Sequence, residues 1–173
     1  MAGEADWPDG LNELLQEFGV RQVAYVPDAG HSRLIVRAGE SNEMRTVPLA
    51  SEEEGVALLA GAHLGGERGA LLMQSSGVGN CVNMLSLSET CRFPLLILVT
   101  MRGDYGEFNP WQNAMGQATQ KVLEVMGALV FRSDDPSLIV ETARAAARMA
   151  FEGNTTAAVL IGQRVIGAKS FGR

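Results

Sequence analysis

The run Pro94-Leu95-Leu96-Ile97-Leu98-Val99-Thr100-Met101 constrains this chain most. It is far short of the roughly 18 apolar residues a membrane span needs. Its length is that of a strand, and its unbroken apolar character suits a sheet covered on both faces. Gly69–Gln74 has the same character, with Ala70-Leu71-Leu72-Met73 showing no alternation. Between and around these runs lie segments of helical spacing, such as Leu11, Leu14, Leu15 and Phe18. The predicted order is a helix over 11–18, a strand over 21–26, a helix from His31-Ser32 and a strand over 44–47. A helix over 52–64 follows, capped by Ser51 and stopped by Gly65-Gly66, and then the strand to Gln74. A helix from about Gly79 to Cys91 comes next, then the central strand and a loop over 103–110. A helix over 116–126, a strand over 128–131, a helix with Pro136 at its first position and a strand over 157–161 complete the series. This βα alternation predicts an α/β fold of three layers, αβα, around a mostly parallel sheet with right-handed crossovers.

The 173 residues fit a single domain, with a core over about 8–162 and an irregular tail over 163–173. A net charge of −6 argues against a nucleic-acid partner. No apolar run long enough for a membrane span and no signal-like N-terminus are present, which leads to an expectation of a cytoplasmic protein. Cys81 and Cys91 lack a Cys-x-x-Cys spacing and are read as ordinary thiols, not a disulfide.

In parallel sheets ligands sit at the C-terminal ends of strands. The loops there start at Pro27, Gln74 and Met101, and they hold the candidate site residues. Glu53 lies in a first helical turn with Glu52 and Glu54, where the helix dipole favours negative charge. Three glutamates in such a turn usually form a solvated face, so Glu53 alone decides little. Ser75-Ser76-Gly77-Val78-Gly79-Asn80 follows a strand and reads either as a tight strand-to-helix turn or as a phosphate cradle. Arg102 ends the central strand and is the favoured clamp for a small anion, since a guanidinium fork matches carboxylate, sulfonate or phosphonate oxygens. The competing reading pairs Arg102 with Asp104 or Glu107.

Taken together, Glu53-Glu54-Gly55-Val56 with Ala57, Ala60, Gly61 and Ala62, then Ser76-Gly77-Val78-Gly79, resembles the pyrimidine-binding domain of thiamin-diphosphate enzymes. With Arg102-Gly103-Asp104-Tyr105-Gly106-Glu107 and Pro110-Trp111-Gln112-Asn113-Ala114-Met115-Gly116, residues 20–130 resemble the 2-oxo acid decarboxylase branch. The sulfopyruvate decarboxylase alpha chains are the nearer group and the phosphonopyruvate decarboxylases their relatives. The resemblance implies that Glu53 is catalytic and binds N1′ of the cofactor's aminopyrimidine, in a dry pocket that raises its pKa, with Glu52 and Glu54 as exposed neighbours. Ser76, Gly77, Val78, Gly79 and Asn80 would then line the cofactor, and Asp28, His31, Gln74, Arg102 and Gln112 would face the substrate. His31 is either a group acting on the substrate or a helix-start surface residue. Where the pyruvate decarboxylases carry two histidines, Met73-Gln74 stands here.

Thiamin diphosphate and Mg2+ are the implied cofactors. The motif that holds the metal in this family is not matched by Gly103-Asp104-Tyr105-Gly106, so no metal ligand is expected in this chain. A separate diphosphate-binding beta subunit is the implied partner, together with homodimerisation of alpha subunits and a small anionic 2-oxo acid substrate. A different class stays open: a non-catalytic Rossmann-like binding subunit. The absence of Gly-x-Gly-x-x-Gly after the first strand weakens a dinucleotide-binding version of it.

Overall fold

The computed structural model describes residues 6–167. Six strands form one sheet: β1 (Val20–Tyr25), β2 (Arg45–Pro48), β3 (Arg68–Gln74), β4 (Leu95–Thr100), β5 (Leu129–Ser133) and β6 (Thr156–Ile161). Their order is β2-β1-β3-β4-β6-β5 and every pairing is parallel. The helices are α1 (Trp7–Glu17), α2 (Ser32–Glu40), α3 (Glu52–Leu64), α4 (Ser75–Cys81), α5 (Leu85–Cys91), α6 (Pro110–Val125), α7 (Ile139–Gly153) and α8 (Gln163–Ile166).

The two central strands show why their sequences do not alternate. On one face Ala70, Leu72, Leu96 and Leu98 pack with Leu11, Leu34 and the Ala143-Ala146-Ala147-Ala150 stripe, on α1, α2 and α7. On the other face Leu71, Met73, Ile97 and Val99 pack with Val56, Leu59, Val78, Leu85 and Leu123, on α3 to α6. Both faces are covered, so positions 70–73 and 95–99 are all apolar. Each fully buried leucine contributes about 1.5–3 kcal/mol relative to exposure. The result is the expected three-layer αβα architecture. No helix among the described residues is long and apolar enough to cross a membrane.

The chain leaves β1 toward α2 on one face and leaves β3 toward α4 on the other. β1 and β3 are neighbours, so the connections diverge and open a crevice at their C-terminal ends.

Several boundaries differ from the sequence reading. The expected helix over Gly79–Cys91 is two helices, separated by a turn at Val82-Asn83-Met84, and α4 begins at Ser75 directly after β3. Ser75 to Asn80 is therefore helix, not turn. Serine and glycine are poor helix formers, but burial of Val78 and Cys81 against the sheet overrides that preference. α6 begins at Pro110, not Gly116, with the Asn109 side chain accepting from Trp111 N at 3.1 Å. Asn before Pro is an N-cap followed by N1. Gly116 instead lies inside the helix, where its missing side chain lets α6 close on the Arg102-Gly103 backbone. Pro136 opens a short 3-10 turn ahead of α7. In the tail expected to be irregular, Gln163–Ile166 is helical, and residues 168–173 lie outside the described range.

Candidate active site

Ser51 is the N-cap of α3, as expected, but its hydroxyl does not cap the backbone. It donates to Glu53 Oε2. Glu54 is exposed and reaches back to accept from Ala50 N at 3.0 Å. Glu52 corrects the sequence reading: it is only 6% exposed, not a solvated neighbour. Its Oε2 accepts from Asn80 Nδ2 at 2.8 Å, and its carboxylate fills the space a side chain at Gly77 would need. The first turn of α3 is thus locked onto α4.

Glu53 is half-buried. The Ser51 hydroxyl and the backbone N–H of Glu53 itself hold its carboxyl below the ordinary carboxylate value, and burial opposes them only weakly. The direction is opposite to the expected one, because among the described residues nothing covers Glu53 and dries it. Glu52 and Glu53 both lie near Cys81 of α4. Burial first, then these two charges, push the Cys81 thiol up to about 12.

The loop after β1 is fixed by Asp28, whose Oδ2 accepts from Thr100 Oγ1 at 2.6 Å and Gly30 N at 3.1 Å. His31 is fully buried, neither a surface residue nor one lining an open cleft. Its Nε2 donates to Leu98 O at 3.0 Å, while Nδ1 is buried with no partner among the described residues. Burial lowers its pKa, against the pull of Asp28 and the carbonyls of Leu98 and Met73, so the ring is neutral.

Arg102 follows β4 and is buried with Glu107. Their side chains are 8% and 2% exposed. Glu107 Oε2 accepts from Arg102 Nε and Nη2, each at 2.8 Å, and from Gln163 Nε2 at 2.9 Å. Glu107 Oε1 accepts from Asn109 N at 3.1 Å. Of the two pairings weighed from sequence, Glu107 is the mate. Asp104 pairs with Arg132 Nη2 at 2.6 Å. Burial raises the Glu107 carboxyl, but the Asn109 N–H, Arg102 and Gln163 together outweigh it and hold the pKa below the ordinary value. Gln163 also accepts from the backbone N–H groups of Asp104 and Tyr105, tying the loop down. Arg102 and the loop after β1 line one small cleft of about 120 Å³, with Asp28, Ala29, Gly30, Ile166 and Gly167.

Ser75 joins these parts. Its hydroxyl donates to Arg102 O at 2.9 Å and accepts from Arg102 N at 3.0 Å. Gln74 is half-buried at the end of β3. Gln112 sits in the first turn of α6, with Oε1 buried and unpartnered among the described residues, and its backbone is packed against Gly103. Of the predicted residues, Ser76–Asn80 lie on α4, where Gly77 and Asn80 meet Glu52, and Asp28 and Arg102 meet in the cleft. Gln163, Thr100 and Ser75 have places in this arrangement that the sequence reading did not give them. Among the described residues, no group of three His, Cys, Asp or Glu side chains gathers to hold a metal ion.

A family model described as thiamine pyrophosphate enzyme, N-terminal TPP binding domain, matches residues 8–123. The chain belongs to that family. Its relatives include the sulfopyruvate decarboxylase subunit alpha of Methanococcus maripaludis, 31% identical over 88% of this chain and 92% of that one. The subunit of the same name from Methanothermobacter thermautotrophicus is 35% identical over 71% of this chain and 75% of that one. A phosphonopyruvate decarboxylase of Streptomyces viridochromogenes is 38% identical over 72% of this chain but only 31% of its own length. Among solved structures, a 2-oxoglutarate:ferredoxin oxidoreductase from Magnetococcus marinus superposes with a TM-score of 0.74. It matches 92% of this chain and 29% of that one at 14% identity, a likeness of fold. The thiamine pyrophosphate family's aminopyrimidine needs a carboxyl on one ring nitrogen. Glu53, with one carboxyl oxygen held by the Ser51 hydroxyl, is the group the sequence reading offers for that need.

Proposed function

We propose that this chain is the pyrimidine-binding alpha subunit of a thiamin-diphosphate-dependent decarboxylase of anionic 3-substituted pyruvates, sulfopyruvate first and phosphonopyruvate as the alternative. The observation that supports a separate alpha subunit is coverage. The chain spans 92% of a relative named as a sulfopyruvate decarboxylase alpha subunit and 31% of a phosphonopyruvate decarboxylase.

Bound thiamin diphosphate supplies the carbanion chemistry that releases CO2 from a 2-oxo acid. The chain's own residues bind, orient and hold protons. Glu53 holds a proton at N1′ of the pyrimidine. Covering the α3 N-terminus with a partner chain removes water from Glu53 and moves its pKa up from its present low position, toward the working range of an acid–base group. α4 supplies the wall formed by Ser76, Gly77, Val78, Gly79 and Asn80. Arg102 gives two of its guanidinium nitrogens to Glu107, and its remaining edge faces the cleft for the substrate anion. Asp28 shares that cleft, and Gln74 and Gln112 are the further candidate substrate contacts. His31, buried and neutral, acts through the β1 loop rather than by contact.

A diphosphate-binding beta subunit brings the Mg2+ site and the diphosphate contacts. The exposed stripe Ala57, Gly61 and Leu64 of α3, with Leu64 88% exposed, suits close approach of a second chain, either that subunit or another alpha subunit.

The test is reconstitution. The chain with its beta partner, thiamin diphosphate and Mg2+ is expected to release CO2 from sulfopyruvate faster than from phosphonopyruvate or pyruvate. The chain alone is expected to be inactive. Turnover by the chain alone refutes the split site. Partner binding with no turnover on any of the three acids favours the non-catalytic subunit.

A further inference from the structure

Arg102 is the cation offered to the substrate anion, but two carboxylates share its surroundings. Glu107 is one. It stands behind the guanidinium, with Oε2 at 2.8 Å from both Nε and Nη2, and its side chain is 2% exposed. Gln163 Nε2 and the Asn109 N–H hold the same carboxyl at 2.9 and 3.1 Å, which keeps it in place when a ligand enters. These donors and Arg102 hold its pKa below the ordinary carboxylate value, so it is ionised at neutral pH. Asp28 is the other. It lines the same cleft, and its Oδ2 is held by neutral donors, the Thr100 hydroxyl and the Gly30 N–H. Among the lining residues Arg102 is the single cation, and it is outnumbered before any substrate arrives.

A sulfonate suits such a site and a phosphonate does not. The sulfonate carries one charge, which the remaining edge of the Arg102 guanidinium answers with hydrogen bonds. A phosphonate, like a phosphate monoester, carries about −1.5 to −2 at pH 7. Its second charge meets no cation in the cleft and is repelled by Glu107 across the width of the guanidinium. Partly buried charges interact more strongly than charges in water. A site excludes a competitor by leaving its charge unpaired. We propose that Glu107 is a specificity-determining residue: paired with Arg102, it admits a 2-oxo acid whose 3-substituent is singly charged and turns away one whose 3-substituent is doubly charged. The inference rests on the proposed decarboxylase function, in which this cleft takes the 3-substituent.

Glu107→Gln is the direct perturbation. Its amide oxygen still accepts from Arg102 and Gln163, but the negative charge is gone. In the reconstituted complex the quantity read is kcat/KM on phosphonopyruvate divided by kcat/KM on sulfopyruvate. That ratio rises by about tenfold or more in Glu107→Gln, because removing a like charge favours the dianion most. A merely structural part for Glu107 lowers both rates together and leaves the ratio where it was. A second probe needs no variant. The monomethyl ester of phosphonopyruvate is a phosphonate with one charge. Wild type uses it at least about fivefold better in kcat/KM than phosphonopyruvate itself, although the ester is the larger molecule.

The experiment is steady-state kinetics on the chain assembled with its beta partner, thiamin diphosphate and Mg2+. A ratio within about twofold of wild type in an assembled Glu107→Gln complex overturns the proposal. If Glu107→Gln does not fold or assemble, the wild-type comparison decides: preference for the singly charged ester supports the proposal, and equal or poorer use of the ester overturns it. If wild type turns over no 2-oxo acid, the functional reading has failed, and the charge screen is judged by binding alone. Methanesulfonate and methylphosphonate are then titrated against the full-length chain by NMR. A preference for methanesulfonate that Glu107→Gln abolishes supports the screen. Equal binding of the two by wild type, the same preference in both proteins, or no binding of either anion overturns it.

Discussion

Arg102→Ala is expected to unbalance the loop after β4 before it affects any ligand. The Glu107 side chain is 2% exposed and its Oε2 accepts two of the guanidinium's nitrogens. Truncating Arg102 leaves that carboxylate with Gln163 and the Asn109 N–H alone. Removing one partner of a buried pair costs about 3–5 kcal/mol, since an uncompensated charge stays behind. The two surviving hydrogen bonds place this case at the low end, about 3 kcal/mol. For a chain of this size the midpoint of thermal unfolding falls by roughly 6–12 °C. Glu107→Gln added to Arg102→Ala removes the stranded charge and recovers at least about 1 kcal/mol, which a double-mutant cycle by calorimetry reads directly. The pH dependence has a definite sign. The Glu107 pKa is lowered in the folded chain, so its contribution is present above the ordinary carboxylate range and is lost as pH falls through the lowered value. Without Arg102, burial weighs more and Glu107 takes up a proton more readily. The deficit of Arg102→Ala against wild type is therefore smaller near about pH 4 than near about pH 7. An equal deficit at both, or no recovery in the double variant, refutes the reasoning.

In the reconstituted enzyme Glu53→Gln lowers the rate by about 10²–10⁴ with assembly intact, and Glu54→Gln stays near wild type, both read from steady-state kinetics. Arg102→Ala weakens the sulfonated substrate by roughly ten- to a hundredfold in KM, and an equal loss on plain pyruvate assigns Arg102 to the shared carboxylate. A thiol reagent near pH 8 titrates one equivalent per folded chain, the exposed Cys91, and a second only on unfolding, because the Cys81 thiol is buried and pushed up to about 12. Gly103 has φ +77° and lies against the Gln112 backbone, so Gly103→Ala destabilises the chain by more than about 1 kcal/mol, measured by denaturant unfolding.

The layered fold was legible because the middles of both central strands, 70–73 and 95–99, are apolar without alternation, and only a sheet covered on both sides asks for that. α4 was not legible, since Ser75 to Asn80 is composed like a turn and its helicity comes from burying Val78 and Cys81. The glutamate triplet showed where the α3 N-terminus lies but not how the three divide their roles. Glu52 is turned inward by Gly77 and Asn80, which are distant in sequence. Glu107 was visible only as one of two mates for Arg102. Gln163, 56 positions further on, left no local signal at all, because its place depends on β6 lying beside β4.

Ser75 grips residue 102 entirely through the main chain, by its carbonyl and its N–H. The grip is blind to the side chain carried there. Position 102 is thus a socket: what plugs into it can be exchanged while the wall of α4 keeps its place. Retuning the enzyme toward a different substituted acid calls for exchanges at 102 made jointly with 107, leaving 75 untouched. Proline is the one replacement the socket rejects outright, having no N–H to give to the serine.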